Sequence, residues 1–132
     1  MKNILGKLFK FTTISVPTPV KNSFSERFGD SINVEWLQSD DFYEAIFYYE
    51  EIEHIAHYDS NGKLLNLKKN LPISDTPLHI KEKGLMHGEI MNVIEIREEE
   101  IAGYELIVRD ETLIRYSLLL NEKGGLIQKS KL

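Results

Sequence analysis

His54 and His57 stand three residues apart in Glu50-Glu51-Ile52-Glu53-His54-Ile55-Ala56-His57, and imidazoles among carboxylates are the groups from which a divalent-metal site is built. On a helix that spacing would bring both rings to one face. The surrounding residues read instead as a strand, where positions three apart point to opposite faces. Two ordinary strand histidines are the simpler reading. A metal site around His54 and His57 would need His79 or His87 to fold back toward it, and it stands as the alternative. No glutamate follows His54 directly, so the zinc-peptidase pattern is missing. Asp59-Ser60-Asn61-Gly62 has the look of part of a calcium loop with Gly62 at the glycine position. His57 and Lys68 would then fall at its first and last ligand positions, and neither supplies a carboxylate. A hairpin turn fits better.

Asp40-Asp41 and Glu98-Glu99-Glu100 could be imagined as general acid and base groups, but both fall in expected turns with no apolar enclosure to raise a pKa. No serine sits in a nucleophile-elbow glycine pattern, and no glycine-rich phosphate loop precedes a helix. With no cysteine in 132 residues, thiolate metal ligation, disulfides and a cysteine nucleophile are excluded. The expectation is a chain that is not an enzyme and carries no cofactor and no metal.

The elements that must position these residues follow from periodicity. Apolar residues at 42% supply a core, charged residues at 28% coat it, and a net charge of −5 marks an acidic globular chain of single-domain size. Val16, Val20, Phe24 and Phe28 recur at steps of four, the signature of one helix face, with Pro17 at its entrance and Gly29 at its stop. Strands are expected at 32–38, 42–49, 53–58 and 64–67, the last two joined by the Asp59 to Gly62 turn. Ser74-Asp75-Thr76-Pro77 signals a second helix start, with a short polar side chain as cap. Gly84 and Gly88 should end that helix early and leave Leu85 and Met86 to cover the sheet from a looser turn. Strands at 89–96, 103–109, 113–120 and 126–128 complete the chain, with Asn70-Leu71-Pro72 as the joint between halves.

The landmarks Pro17 and Pro77, Asn33 and Asn92, Tyr43 and Tyr104, and Gly62 and Gly124 repeat in order at offsets of 59 to 62 residues. The chain therefore reads as a basic arm at 1–15 followed by one domain at 16–132 built from two repeats, 16–71 and 72–132. The fold class is α+β: two tandem units of a helix plus antiparallel strands, with helices on one face of the sheet. In the arm, Lys2, Lys7 and Lys10 interrupt Ile4, Leu5, Leu8 and Phe9, so no standard secretory signal is readable. A frayed or edge-packed terminus is preferred to an amphipathic lipid anchor, and membrane contact is not expected. The acidic body argues against nucleic acid as a partner.

Alternation divides each strand into two faces. Val34, Trp36, Tyr43, Ala45, Phe47, Ala56 and Tyr58 form the helix-side set, with Tyr104, Leu106, Val108, Leu118 and Leu120. The other face mixes Glu35, Glu44, Ile46, Tyr48, Glu53, Ile55 and His57 with Ile94, Ile96, Glu105, Ile107, Arg109, Arg115 and Leu119. Apolar residues among charges mark a contact surface. The expected partner-binding residues are Glu44, Ile46, Tyr48, Ile55, His57, Ile107, Arg109, Arg115 and Leu119, meeting an unknown protein or peptide or a second copy of the chain.

Val16-Pro17-x-x-Val20-x-x-x-Phe24-x-x-x-Phe28, Val34-Glu35-Trp36, Tyr43-Glu44-Ala45-x-Phe47 and Asp59-x-Asn61-Gly62-Lys63-Leu64-Leu65 resemble the PepSY-like, beta-lactamase-inhibitor-protein-like (BLIP-like) family. The resemblance runs from Val16 through nearly the whole chain. It implies a non-enzymatic bacterial domain, often exported to the periplasm or cell envelope, that binds or inhibits other proteins through the free face of an antiparallel sheet.

Overall fold

The structure is a computed structural model that describes residues 14–99 and 101–132, so the basic arm lies outside the described residues up to residue 13. The architecture is α+β, with two helices and eight antiparallel strands among the described residues, and the chain divides into two compact units, Met1–Lys68 and Lys69–Leu132.

In the first unit α1 (Thr18–Phe28) precedes β1 (Ile32–Gln38), β2 (Tyr43–Tyr49), β3 (Ile52–Tyr58) and β4 (Leu64–Leu71), whose last residues pass into the second unit. Pro17 stands at the helix entrance with extended backbone (ψ 146°), and its carbonyl accepts the Lys21 N–H at 3.0 Å. The expected stripe of Val16, Val20, Phe24 and Phe28 is buried against Ala45, Phe47, Ala56, Tyr58 and Leu67. Phe47 is the centre of that packing: the Phe24 ring meets it edge-on at 4.9 Å, Phe28 lies at 4.8 Å, and the His54 ring stacks on it at 5.3 Å. Quadrupole geometry favours such edge and offset contacts over flat sandwiches. A bulge between Ile32 and Glu35, with Asn33 at φ +54°, resets the start of β1, after which Trp36 pairs with Ala45 and Leu37 with Glu44.

In the second unit a single 3-10 turn (Ile73–Asp75) leads to α2 (Leu78–Leu85), followed by β5 (Glu89–Glu98), β6 (Ile101–Arg109), β7 (Arg115–Asn121) and β8 (Leu126–Lys131). Ile80, Ile90, Val93, Tyr104, Leu106, Val108, Leu118 and Leu120 form its core. Both helix-side sets expected from alternation are therefore packed against their own helix.

Three expectations need correction. The Ser74 to Pro77 signal does not cap α2 through a side chain, because Pro77 occupies the capping position and the Thr76 hydroxyl donates back to the Pro72 carbonyl at 3.2 Å. Leu85 and Met86 do not cover the sheet but are 58% and 76% exposed. Gly84 explains this: its missing side chain lets the helix backbone settle onto Leu106 and Ile90, whose methyl groups would lie 2.6 and 2.9 Å from a Cβ there. Finally, Asn70 and Leu71 belong to β4, which outruns the four residues read as the strand.

One turn design recurs three times. Asp59 Oδ1 accepts the N–H groups of Asn61 and Lys63, Asp110 Oδ1 those of Thr112 and Ile114, and Asn121 Oδ1 those of Lys123 and Gly125, all at 2.8 to 3.1 Å. The fourth residue of each turn has positive φ: Gly62 at +88°, Leu113 at +67° and Gly124 at +92°. The Asp59 carboxylate is thus a turn anchor, which is what an Asx-type hairpin requires.

Candidate functional site

The face of each unit turned away from its helix holds all nine expected partner-binding residues. In the first unit the register places Glu44 opposite His57, Ile46 opposite Ile55, and Tyr48 opposite Glu53. In the second, Ile107 lies opposite Ser117, Arg109 opposite Arg115, and Leu119 opposite Glu105.

The two outer faces differ in access. In the first unit Leu37, Ile46 and Ile55 form a separate apolar cluster at 3%, 3% and 0% exposure, and Glu44, Glu53 and His57 are buried with them. Tyr48 is half-buried. In the second unit Ile96, Ile107, Arg109 and Leu119 are half-buried and Arg115 is exposed, although Ile94 is buried. Arg109 Nη2 donates to Glu89 Oε1 at 2.8 Å, and the Ser117 hydroxyl donates to Glu105 Oε2 at 2.8 Å, so Arg109, Glu89 and Glu105 are each engaged.

Leu37 was absent from the candidate site, although counting by two from Glu35 reaches it. Asn66 was also missed, and no local pattern announces it, since its role comes from a contact with His57.

A polar row crosses the first unit beside the apolar cluster. His57 Nε2 lies 2.7 Å from Glu44 Oε1, and Asn66 Nδ2 lies 3.2 Å from His57 Nδ1. An amide nitrogen only donates, so Nδ1 is the acceptor and the ring proton sits on Nε2, directed at Glu44. The Phe42 ring stacks on the imidazole at 4.0 Å. Each imidazole nitrogen is thereby engaged within the row. Among the described residues, Glu44 Oε2, Glu53 Oε2 and Asn66 Oδ1 are buried without a hydrogen-bond partner. Burial, and after it the Glu35 carboxylate, hold the Glu53 carboxyl above its usual pKa range.

His54 faces the other way. Its Nδ1–H donates to the Ile52 carbonyl at 2.7 Å and its ring packs against Phe28, Phe47 and Tyr49. The two imidazoles are therefore on opposite sides of β3, and the described residues contain no group of three or more side chains arranged to hold a metal.

No family model matches this sequence, and no curated protein does. Solved structures do resemble it. A DUF2874 family protein from Bacteroides ovatus superposes with a TM-score of 0.79 at 17% identity, over 90% of this chain and 89% of that one. A BLIP-like protein from Bacteroides fragilis gives 0.77 at 15% identity, over 91% and 89% of the two chains. A Bacteroides eggerthii protein provisionally described as periplasmic gives 0.79 at 14% identity, over 89% and 90%. The chain shares the fold of these proteins. Among the described residues, no helix is long and apolar enough to cross a membrane.

Proposed function

We propose that this chain is a non-enzymatic, inhibitor-like module that binds a protein or peptide through the outer face of its strands. The observation that carries the reading is the second unit's outer face. There Ile96, Ile107 and Leu119 remain half-accessible on strands whose opposite side is already filled by α2, and Arg109 and Arg115 border them. Partly wet apolar side chains with a cationic border suit the centre and rim of a protein contact. The fold shared with a BLIP-like protein supports the inhibitor-like sense, and the protein provisionally described as periplasmic supports a cell-envelope location. The same succession of helix and four strands in each unit, with Pro17 and Pro77 in matching capping conformations, supports descent from a duplicated PepSY-like half.

The test is paired affinity capture from the native organism with the natural chain and an Ile107→Lys, Leu119→Lys variant, alongside light scattering over a concentration series. Loss of one saturable partner with the fold retained supports the reading. Identical captures and identical oligomeric state from both chains refute it.

A further inference from the structure

A cleft opens in the first unit where α1 meets the turn between β3 and β4. It has a volume of about 370 Å³ and is bordered by Ser23, Glu26 and Arg27 of α1, Tyr58 at the end of β3, Gly62 in the turn and Leu64 at the start of β4. Small-molecule clefts span roughly 300–1,000 Å³, so this one suits a compact molecule. Helix and turn are fixed to each other at its edge. The Ser23 hydroxyl donates to the Gly62 carbonyl at 2.6 Å, and a Cβ on Gly62 would lie 2.5 Å from the Pro19 carbonyl oxygen.

Two donors at this cleft lack acceptors. Tyr58 is 1% exposed, yet its hydroxyl has no hydrogen-bond partner among the described residues, whereas a buried phenol normally finds one. Burial pushes the pKa of that phenol up to about 12 against the downward pull of the Arg27 charge, so at neutral pH the oxygen keeps its proton and can donate it. Arg27 is exposed in the last turn of α1, its guanidinium 5.3 Å from the centre of the Phe28 ring. Among the described residues no carboxylate or carbonyl oxygen lies within ion-pair or hydrogen-bond reach of it. The Ser23 proton is already committed to Gly62, so the phenol and the guanidinium are the donors this cleft has to offer.

The remaining walls narrow the choice of ligand. Glu26 places one negative charge at the rim, which disfavours a polyanion, and Leu64 provides an apolar surface. We propose that the cleft binds a monocarboxylate with a short apolar tail, the Tyr58 hydroxyl and the Arg27 guanidinium donating to the carboxylate oxygens and the tail lying on Leu64. A free small acid and the C-terminus of a peptide both carry that group. The cleft lies on the helix side of the strands and uses none of the outer-face residues, so it stands or falls separately from the proposed function.

Butyrate is the probe, titrated into the isotopically labelled full chain and followed through the amide resonances. Saturable shifts are expected at Ser23, Gly62 and Leu64, and butyramide, which lacks the charge, should cause none. Tyr58→Phe and Arg27→Gln should each weaken butyrate by about tenfold or more, the loss expected for a hydrogen bond to a charged group. Glu26→Gln should tighten it. Tyr58→Phe should also keep or raise the melting temperature, because the hydroxyl it removes has no partner in the fold. Arg27→Gln, at an exposed position, keeps the test available should Tyr58→Phe fail to fold. A short peptide ending in alanine, with its C-terminus free or amidated, separates the sources: tighter binding of the free-ended peptide than of butyrate assigns the cleft to peptide termini, and binding of butyrate alone assigns it to small acids. Shifts that stay linear with butyrate concentration, equal affinity in the natural chain and the folded variants, or equal binding of butyramide would overturn the proposal.

Discussion

Gly62 and Gly124 occupy the same position in two copies of one turn, which allows an internally controlled measurement. Both have positive φ, +88° and +92°, so alanine at either site carries the left-handed backbone penalty of about 1–2 kcal/mol. Their surroundings differ. A Cβ on Gly62 would lie 2.5 Å from the Pro19 carbonyl oxygen and 2.9 Å from Ser23 Oγ, whose hydroxyl donates to the Gly62 carbonyl at 2.6 Å. The obstacle is helix backbone and cannot rotate away. On Gly124 the nearest atom would be His79 Cδ2 at 3.6 Å, an ordinary contact. Gly62→Ala should therefore add an overpacking cost of about 1–3 kcal/mol that Gly124→Ala escapes. The assay is urea unfolding followed by far-UV circular dichroism and by the fluorescence of Trp36, the single tryptophan, which packs edge-on against Phe24 at 5.2 Å under α1. The midpoint should fall for both variants at unchanged slope, further for Gly62→Ala, by both signals. Equal losses would refute the close seating of α1 on the β3–β4 turn.

Three other substitutions probe the same description. Because burial and Glu35 raise the Glu53 pKa, the native chain holds that proton more tightly than the unfolded chain, so stability falls as pH rises from the usual carboxylate range through the raised value. Glu53→Gln should remove this slope and stabilise the protein at neutral pH, with the gain vanishing in acid; thermal melts across pH read it. Leu113 is 69% exposed with φ +67°, and Leu113→Gly should raise stability by about 0.5–1 kcal/mol in urea titrations through relief of backbone strain. Phe47→Ala removes a fully buried ring touched by Phe24, Phe28 and His54 and should cost about 3–5 kcal/mol, read by loss of the Trp36 signal at lower urea.

The parts of this fold that were legible share a cause. Val16 to Phe28 and the helix-side strand residues are set by periodicity, which depends on neighbours a few residues away and is visible in any single sequence. What sequence reasoning missed depends on distant neighbours. Gly84 reads as a helix breaker until Leu106 and Ile90 are seen beneath it, and then it is the reason the helix can approach. Thr76 reads as a cap, yet Pro77 takes that position and turns its hydroxyl backward. The outer-face assignment followed from alternation, but access did not, because alternation tells which side a residue faces and is silent on what lies over it. Asn66 joined the Glu44 and His57 row through a side-chain contact across the expected β3–β4 hairpin, and that contact depends on register and rotamer rather than on the pattern of residues.

The Asx-anchored turns at Asp59, Asp110 and Asn121 bear on how the chain acquires its structure. β1 pairs with β2, β2 with β3, β5 with β6, β6 with β7 and β7 with β8, and each of these turns closes within four residues of its anchor. Short closures of this kind keep contact order low and loop-closure entropy small, conditions under which β-rich chains fold quickly. The nascent polypeptide can zip each hairpin as it leaves the ribosome, without waiting for a remote strand to be made.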